Sequence, residues 1–275
     1  MSRYGIAEWF GRPLHTLAPS ERQSLARAAL KQEPAPPCPF QTGRPRCSKA
    51  GGVCSIRQGD GRPVILCPRR FDETSLIPHW LGEIVGFSDI YLAREIGFMR
   101  HPETGQSAGK IDIIIARDRD ASAWFGLEIQ AVYFSGDAML PEFEALLVND
   151  DPAPPPTVGR RRPDWRSSSA KRLMPQLQIK GPTLRQWLTK LAVAVDQPFF
   201  EAIGGPTASP SQDLNDGDIV WLVPRIGDDF RLERHHWEVL SLEASSEKLL
   251  YADRIGRPEF DAALRAKLKP LGEAR

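Results

Sequence analysis

The chain has no apolar run of membrane-spanning length, and it has no excess of charge of one sign. Near its start, Glu8, Arg12 and His15 interrupt the apolar residues, as they would not in a secretory signal. These features argue against membrane insertion and favour a cytoplasmic protein. The 36 basic and 35 acidic residues give a formal net charge of +1. Overall charge therefore says nothing about nucleic acid binding, and only local clusters of basic residues can indicate it.

Cysteine is scarce, and its four residues fall in one stretch. Cys38, Cys47, Cys54 and Cys67 lie within Glu33–Pro68, a segment rich in proline and glycine and too polar to form a core of its own. Because cytosolic disulfides are uncommon, a metal bound by four thiolates is favoured over two disulfides or free thiols. A tetrahedral thiolate shell suits zinc or iron. Such a closed shell leaves no position for substrate, so its role would be structural.

The length of 275 residues allows one large or two small domains. Apolar periodicity predicts a series of helices and strands that together indicate an α/β protein. Helices are expected over Ser20–Lys31, capped by Ser20, over Phe71–Phe87, capped by Asp72 or Thr74, and over Leu140–Val148, Lys171–Ile203 and Arg257–Leu268. Strands are expected over Ser88–Met99, Ile219–Pro224 and Phe230–Ala244.

A β-hairpin with acidic residues is expected near the middle of the chain. Its arms, Lys110–Ala116 and Ser122–Phe134, are rich in β-branched or aromatic residues and flank a polar turn, so they should pair antiparallel. The two-residue period puts Glu128 and Gln130 on one face. Asp112 interrupts an apolar arm, where burial is costly unless a cation compensates it. A cross-strand polar pair with a surface arginine is the alternative to a metal site.

A dense basic cluster follows the hairpin. Arginine suits phosphate and the guanine edge, and hydroxyl groups suit phosphate oxygens, so the cluster favours DNA contact over a merely solvated loop. The residues expected to contact DNA are Arg160, Arg161, Arg162, Arg166, Ser168, Lys171 and Arg172.

Several of these stretches resemble a known family. Asp112, Glu128 and Gln130 follow the pattern D-(x)15-E-x-Q, which resembles the nuclease motif PD-(D/E)-X-K with glutamine in the lysine position. The cysteine segment contains PCPF and RCSKAGGVCS, and the basic segment contains RRPDWRSSSAKRLMPQL. All three resemble the corresponding stretches of the NotI-like type II restriction endonucleases.

The resemblance implies a PD-(D/E)XK nuclease-like core, in which helices flank a mixed central β-sheet. Residues 1–70 would form an N-terminal helix and a four-cysteine metal-binding loop. Residues 71–275 would form the nuclease core, with a DNA-contacting segment at 159–181. It further implies that Asp112 and Glu128 bind Mg²⁺, that Gln130 orients water, and that the cysteines hold a rubredoxin-like iron. Nucleases of this superfamily often take a further acidic residue from the preceding helix, which makes Glu83 a candidate, although a solvated glutamate would look the same.

The expected function is therefore Mg²⁺-dependent, site-specific hydrolysis of double-stranded DNA by a type II restriction endonuclease. The resemblance implies a homodimer that cuts a palindromic, GC-rich site in the bacterial cytoplasm, alongside a cognate DNA methyltransferase. The alternatives are a non-catalytic DNA-binding protein stabilised by metal, and a repair or mobile-element nuclease.

Overall fold

The structure is a computed structural model that describes residues 3–250, 252 and 255–268. Its strands are Gly5–Trp9 (β1), Arg12–Pro13 (β2), Val53–Arg57 (β3), Val64–Ile65 (β4), Tyr91–Arg100 (β5), Ser107–Ala116 (β6), Trp124–Ile129 (β7), Phe134–Gly136 (β8), Arg161–Pro163 (β9), Leu191–Ala194 (β10), Ile219–Ile226 (β11) and Leu232–Leu240 (β12). Its helices are Pro19–Ala29 (α1), Leu76–Ile84 (α2), Leu140–Leu147 (α3), Trp165–Ser168 (α4), Met174–Gln186 (α5), Gln197–Ala202 (α6), Leu242–Leu249 (α7) and Arg257–Arg265 (α8). A π-helical turn, Ser169–Leu173, joins α4 to α5.

The centre of the fold is a six-stranded sheet in the order β12-β11-β10-β7-β6-β5. Strands β5, β6 and β7 pair antiparallel, β7, β10 and β11 pair parallel, and β12 returns antiparallel beside β11. The inner strands β10 and β11 are apolar and buried on both faces, as parallel strands covered by helices require. The sheet agrees with the predicted mixed α/β class. The chain also follows the predicted order of one helix and then three strands, from α2 to β7.

Strand β10 corrects the prediction of continuous helical structure over Lys171–Ile203. Helix α5 ends at Gln186, Leu188 adopts a positive φ of 56°, and Leu191–Ala194 then enters the sheet between β7 and β11. A run of four apolar residues is compatible with a buried strand and with a buried helical turn. Pairing with two distant strands decides between them here.

Some element boundaries also differ from the prediction. Helix α1 begins at Pro19, and the Glu21 carboxylate accepts the backbone N–H of Ala18 at 2.9 Å, so Ser20 is not the N-cap. Helix α2 follows Ser75, whose positive φ ends an irregular segment, so neither Asp72 nor Thr74 caps it. The second hairpin arm stops at the end of β7, and β8 pairs instead with β9, in the basic segment.

The cysteine segment is more ordered than a loop, because β3 and β4 lie within it. They join β1 and β2 in a four-stranded antiparallel sheet in the order β2-β1-β3-β4. Trp9 and Ile56 of this sheet belong to the same buried cluster as Val193 and Trp221 of the central sheet. The two sheets thus share a core, and the division at residue 70 stays a prediction. None of the helices in the described part of the chain is long and apolar enough to cross a membrane.

Candidate active site

Asp112 and Glu128 lie side by side on neighbouring strands. The register of β6 and β7 pairs Ile113 with Leu127, so one step further along the ladder Asp112 is opposite Glu128. A carboxylate oxygen of Glu128 accepts the N–H of Asp112, and one of Asp112 accepts the N–H of Ile129, both at 3.1 Å. Each side chain is therefore fixed by the other strand. Both line an open cavity of about 620 Å³.

Burial makes this pair of negative charges costly. Glu128 is only 4 % exposed. Burial, and next the charge of Asp112, raises the pKa of Glu128 to about 7. Burial also raises the pKa of Asp112. Two carboxyl groups that resist ionisation side by side are typical of sites that take up a cation.

Lys180 on helix α5 partly balances these charges. Its Nζ lies 2.6 Å from Oε2 of Glu128, and the residue is 3 % exposed. The prediction missed this lysine, although the sequence carries a signal for it. Lys180 follows the buried Leu177 by three residues and precedes the buried Leu184 by four, so it falls on the face of α5 that meets the core. A lysine in such a stripe is almost never fully buried unless it is paired.

Gln130 lines the same cavity just beyond the end of β7. Its backbone N–H donates to the carbonyl of Ala194 on β10 at 3.0 Å, and its side-chain amide donates to the carbonyl of Ala131. The residue in the lysine position of the nuclease pattern thus presents a neutral amide to the cavity.

Two further acidic residues occupy different places. Glu83 of α2 pairs with Arg234 of β12, with 2.6 Å between Oε1 and Nη2, and among the described residues it is not part of the cavity lining. Glu95 of β5 is closer to the carboxylates. Because Arg94 pairs with Ile113, Glu95 is opposite Asp112, and its charge contributes to raising the pKa of Asp112. The predicted candidate, Glu83, thus lies away from the two carboxylates, and Glu95, which the sequence did not single out, lies next to Asp112.

The acidic residues thus form one row across three adjacent strands: Glu95, Asp112 and Glu128. Glu95 has a positive φ of 55°, which is uncommon for a residue other than glycine, and its carboxylate is 3.6 Å from Lys110 Nζ. It lines a second, smaller cavity that also reaches Asp112. Within the described residues, no three or more acidic, histidine or cysteine side chains are arranged to hold a metal ion. The oxygen donors already close together are those of Asp112 and Glu128.

The basic segment has an exposed part and a buried part. The exposed residues are Arg160, Arg162, Arg166, Lys171 and Arg172. Lys171 and Arg172 line the large cavity, and the Arg172 guanidinium lies 3.8 Å from the centre of the Tyr133 ring. Of these five residues, Lys171 and Arg172 therefore lie at the cavity that holds the carboxylates.

Arg161 and Ser168 point inward. The Arg161 side chain is fully buried, pairs with Glu142 at 2.7 Å, and donates to the carbonyls of Asp137 and Ala138. The Ser168 hydroxyl accepts the N–H of Tyr133 and donates to a backbone carbonyl. Both side chains therefore stabilise the basic segment through internal contacts, and neither is exposed at the surface.

None of the four cysteines forms a disulfide. Cys54 lies in β3 and Cys67 shortly after β4, whereas Cys38 and Cys47 lie between α1 and β3. Cys38, Cys54 and Cys67 form a small buried cluster with Phe40, and Cys47 is half-buried beside them. Burial raises the pKa of Cys54, Cys67 and Cys47, and charge on neighbouring thiols raises these pKa values further. The four thiols are therefore electrostatic neighbours, although they do not form a metal-ligand arrangement among the described residues.

A family model described as restriction endonuclease NotI matches residues 22–237 of the chain. The matched range includes the four cysteines, the acidic row, the basic segment and Lys180. No curated protein matches the sequence significantly. The family match covers most of the chain and extends from α1 to β12.

Proposed function

Because the chain belongs to the NotI restriction endonuclease family and is therefore a type II site-specific deoxyribonuclease, we propose that the cavity holding Asp112 and Glu128 is its reaction centre. The observation that carries this proposal is the juxtaposition of the buried Glu128 carboxylate and the half-buried Asp112 carboxylate, which come from neighbouring strands and line an open cavity. Exposed arginine and lysine side chains lie beside the same cavity, where a DNA phosphate could approach. The arrangement fits a PD-(D/E)XK-like nuclease core.

The two carboxylates have the chemistry that Mg²⁺ requires. Mg²⁺ prefers oxygen ligands, and Asp112 and Glu128 place negative oxygens together, with the carbonyl of Ile129 next to them as a further donor. When bound, the ion would polarise the scissile phosphate and lower the pKa of a bound water. Their raised pKa values support this fit, because burial, and for Glu128 also the charge of Asp112, disfavours the ionised carboxylates, and a bound cation would compensate for this.

The chain's own side chains then have separate tasks. Lys180 holds one oxygen of Glu128, so that carboxylate cannot rotate freely. The Gln130 amide can orient a water molecule, but it cannot neutralise developing charge. Lys171 and Arg172 can bind phosphates at the cavity. We take Glu95 as the third acidic residue of the proposed centre, in place of Glu83, because Glu95 continues the row of carboxylates whereas Glu83 is engaged by Arg234.

The proposed DNA surface consists of the five exposed cations of the basic segment. Cutting both strands of a duplex at one position calls for two such centres, so we propose a two-fold symmetric homodimer and a palindromic target. The abundance of arginine supports a GC-rich target, because arginine suits the guanine edge. A cell that carries this activity must protect its own DNA, which implies a cognate methyltransferase. Enzyme and target would share the bacterial cytoplasm.

Digestion of plasmid DNA with Mg²⁺ tests the proposed function. We expect discrete fragments whose sequenced ends share one symmetric site, and no fragments when EDTA is present. Retarded but intact DNA would instead indicate a binding protein, and cuts without a common sequence would indicate a nuclease of the repair or mobile-element class. Either of these results would contradict the proposal.

Cleavage at limiting Mg²⁺ should depend on pH through Glu128. Its pKa of about 7 means that the carboxyl carries a proton below that pH and is an ionised ligand above it. Since the proton competes with the metal, we expect the initial rate to rise about tenfold from about pH 6 to about pH 8. Saturating Mg²⁺ should move the rise to lower pH. A profile that is flat at limiting Mg²⁺ would contradict this expectation.

We also propose that the four cysteines bind one structural iron or zinc ion. Four free thiols in one region are the donors that such an ion prefers, which supports the proposal. The purified protein should contain about one iron or zinc ion per chain, with visible thiolate-to-iron absorption if the metal is iron. Cys54→Ser should lose the metal and Ser48→Ala should keep it. A folded wild-type protein without bound metal would refute the site.

A further inference from the structure

The active site contains a buried positive charge that does not come from the hairpin. Among the described cations that line the large cavity, Lys110, Lys171 and Arg172 are exposed, whereas Lys180 is buried. Its ammonium group is 2.6 Å from Glu128 Oε2. Among the described residues that line this cavity, Lys180 therefore combines a positive charge with a fixed contact to a carboxylate of the reaction centre.

The packing of α5 fixes this lysine in place. Leu177 and Leu184, one turn before and after it, are fully buried. Gly181 faces helix α7, where an added Cβ would lie 2.9 Å from Leu242 Cδ1, so the close approach of the two helices depends on glycine. The backbone next to Lys180 thus has little room to move. The packing of α5 therefore directs the Lys180 side chain at Glu128.

A contribution to folding stability alone does not explain why Lys180 and Glu128 form a buried ion pair. Moving an ammonium and a carboxylate out of water is costly, and apolar replacements of buried ion pairs are often neutral or stabilising. A site that binds a metal and a phosphate has another use for a lysine. It must keep a carboxylate in one orientation and offset negative charge close to the reacting atoms.

We propose that Lys180 is a positioning residue of this active site, an inference that rests on the proposed function. Lys180 orients Glu128 from helix α5, and it supplies the positive charge that the neutral Gln130 lacks. The ammonium group acts through Oε2 of Glu128. It leaves the second oxygen, Oε1, directed to the neighbouring strand, where it accepts the N–H of Asp112. The charge that accompanies the carboxylates thus comes from a helix about fifty residues later in the chain.

Substitution of Lys180 tests the inference with the full-length protein. Lys180→Met should lower the single-turnover cleavage rate at saturating DNA by about 100-fold, while the Kd for DNA, measured with Ca²⁺, changes less than about threefold. Lys180→Arg should retain more activity than Lys180→Met. The matched control is Lys190→Met, since the Lys190 ammonium donates to the carbonyl of Gly217, away from the cavity, and this variant should cut at the wild-type rate.

A variant with the lysine moved to another wall of the cavity distinguishes a positioning role of Lys180 from a purely structural one. Gln130 lines the same cavity as Glu128, so Gln130→Lys in the Lys180→Met background should place an ammonium group near that carboxylate and restore the rate at least about tenfold. Thermal unfolding of every variant shows which are folded, and Lys180→Arg keeps the charge if Lys180→Met is unstable.

Two results would overturn the inference. One is a near wild-type single-turnover rate in Lys180→Met. The other is a loss that neither arginine at position 180 nor lysine at position 130 reduces. Asp112→Asn, assayed in parallel, separates this inference from the proposed function. Loss of cleavage in Asp112→Asn but not in Lys180→Met rejects only the inference, whereas full activity in Asp112→Asn rejects the reaction centre itself.

Discussion

Asp112→Asn is expected to lower the cleavage rate by at least about 1000-fold, because it removes the negative charge that a metal ion needs while keeping the shape of the side chain. The amide can still accept the N–H of Ile129 through its oxygen, so the hairpin should keep its geometry. Asparagine also removes the charge that helps to raise the pKa of Glu128, so the pKa of Glu128 should fall in the variant. The effect is therefore expected on catalysis and metal binding, and not on folding.

The measurement is single-turnover cleavage of plasmid DNA with Mg²⁺, combined with a gel-shift assay of DNA binding in Ca²⁺. Asp118→Asn is the matched control, since Asp118 lies in the turn of the same hairpin, is partly exposed and accepts the N–H of Ser122. It should cut at close to the wild-type rate. Glu83→Gln should likewise remain active. An Asp112→Asn protein within about tenfold of wild type would remove this residue from the reaction centre.

Arg161→Met is expected to lower the free energy of unfolding by about 3 to 5 kcal/mol, because it leaves the largely buried carboxylate of Glu142 without its partner. Arg161 also bonds two backbone carbonyls and joins the start of β9 to the loop before α3, so its loss leaves those carbonyls without a donor as well. Urea denaturation, followed by circular dichroism, measures the change.

Arg160→Met is the matched comparison, because Arg160 is the neighbouring residue but is exposed. Its free energy of unfolding should change by less than about 0.5 kcal/mol. If Arg160 contacts a phosphate, the slope of log Kd for DNA against log salt should decrease by about one. A stable Arg161→Met protein that binds DNA weakly would instead return Arg161 to the DNA surface.

The second prediction concerns a residue that the sequence pattern did not distinguish from its neighbours. Arg160, Arg161 and Arg162 look equivalent in the sequence, and composition favours DNA contact for all of them. The pairing of β9 with β8 separates them, since successive residues of a strand point to opposite faces. Arg161 faces inward, and its two neighbours face outward. The sequence did not reveal this alternation because β9 is only three residues long and contains no apolar pattern.

The sequence by itself determined the features that depend on short-range periodicity. The antiparallel hairpin, the shared face of Glu128 and Gln130, and the placement of Asp112 beside Glu128 follow from two adjacent strands joined by a polar turn. The family was also evident from contiguous stretches, and the family match to residues 22–237 confirmed it. In each case, the residues concerned are close along the chain.

Only the tertiary structure decided the contributions of distant segments. Strand β10 takes its conformation from pairing with β7 and β11, and Lys180 reaches Glu128 because α5 packs across the sheet. The register of β5 places Glu95 beside Asp112, whereas Glu83 pairs with Arg234 away from the two carboxylates. Such contacts depend on how helices and strands pack against a common core, and burial then determines which charged side chains must be paired. The apolar periodicity of a single segment carries no information about that packing.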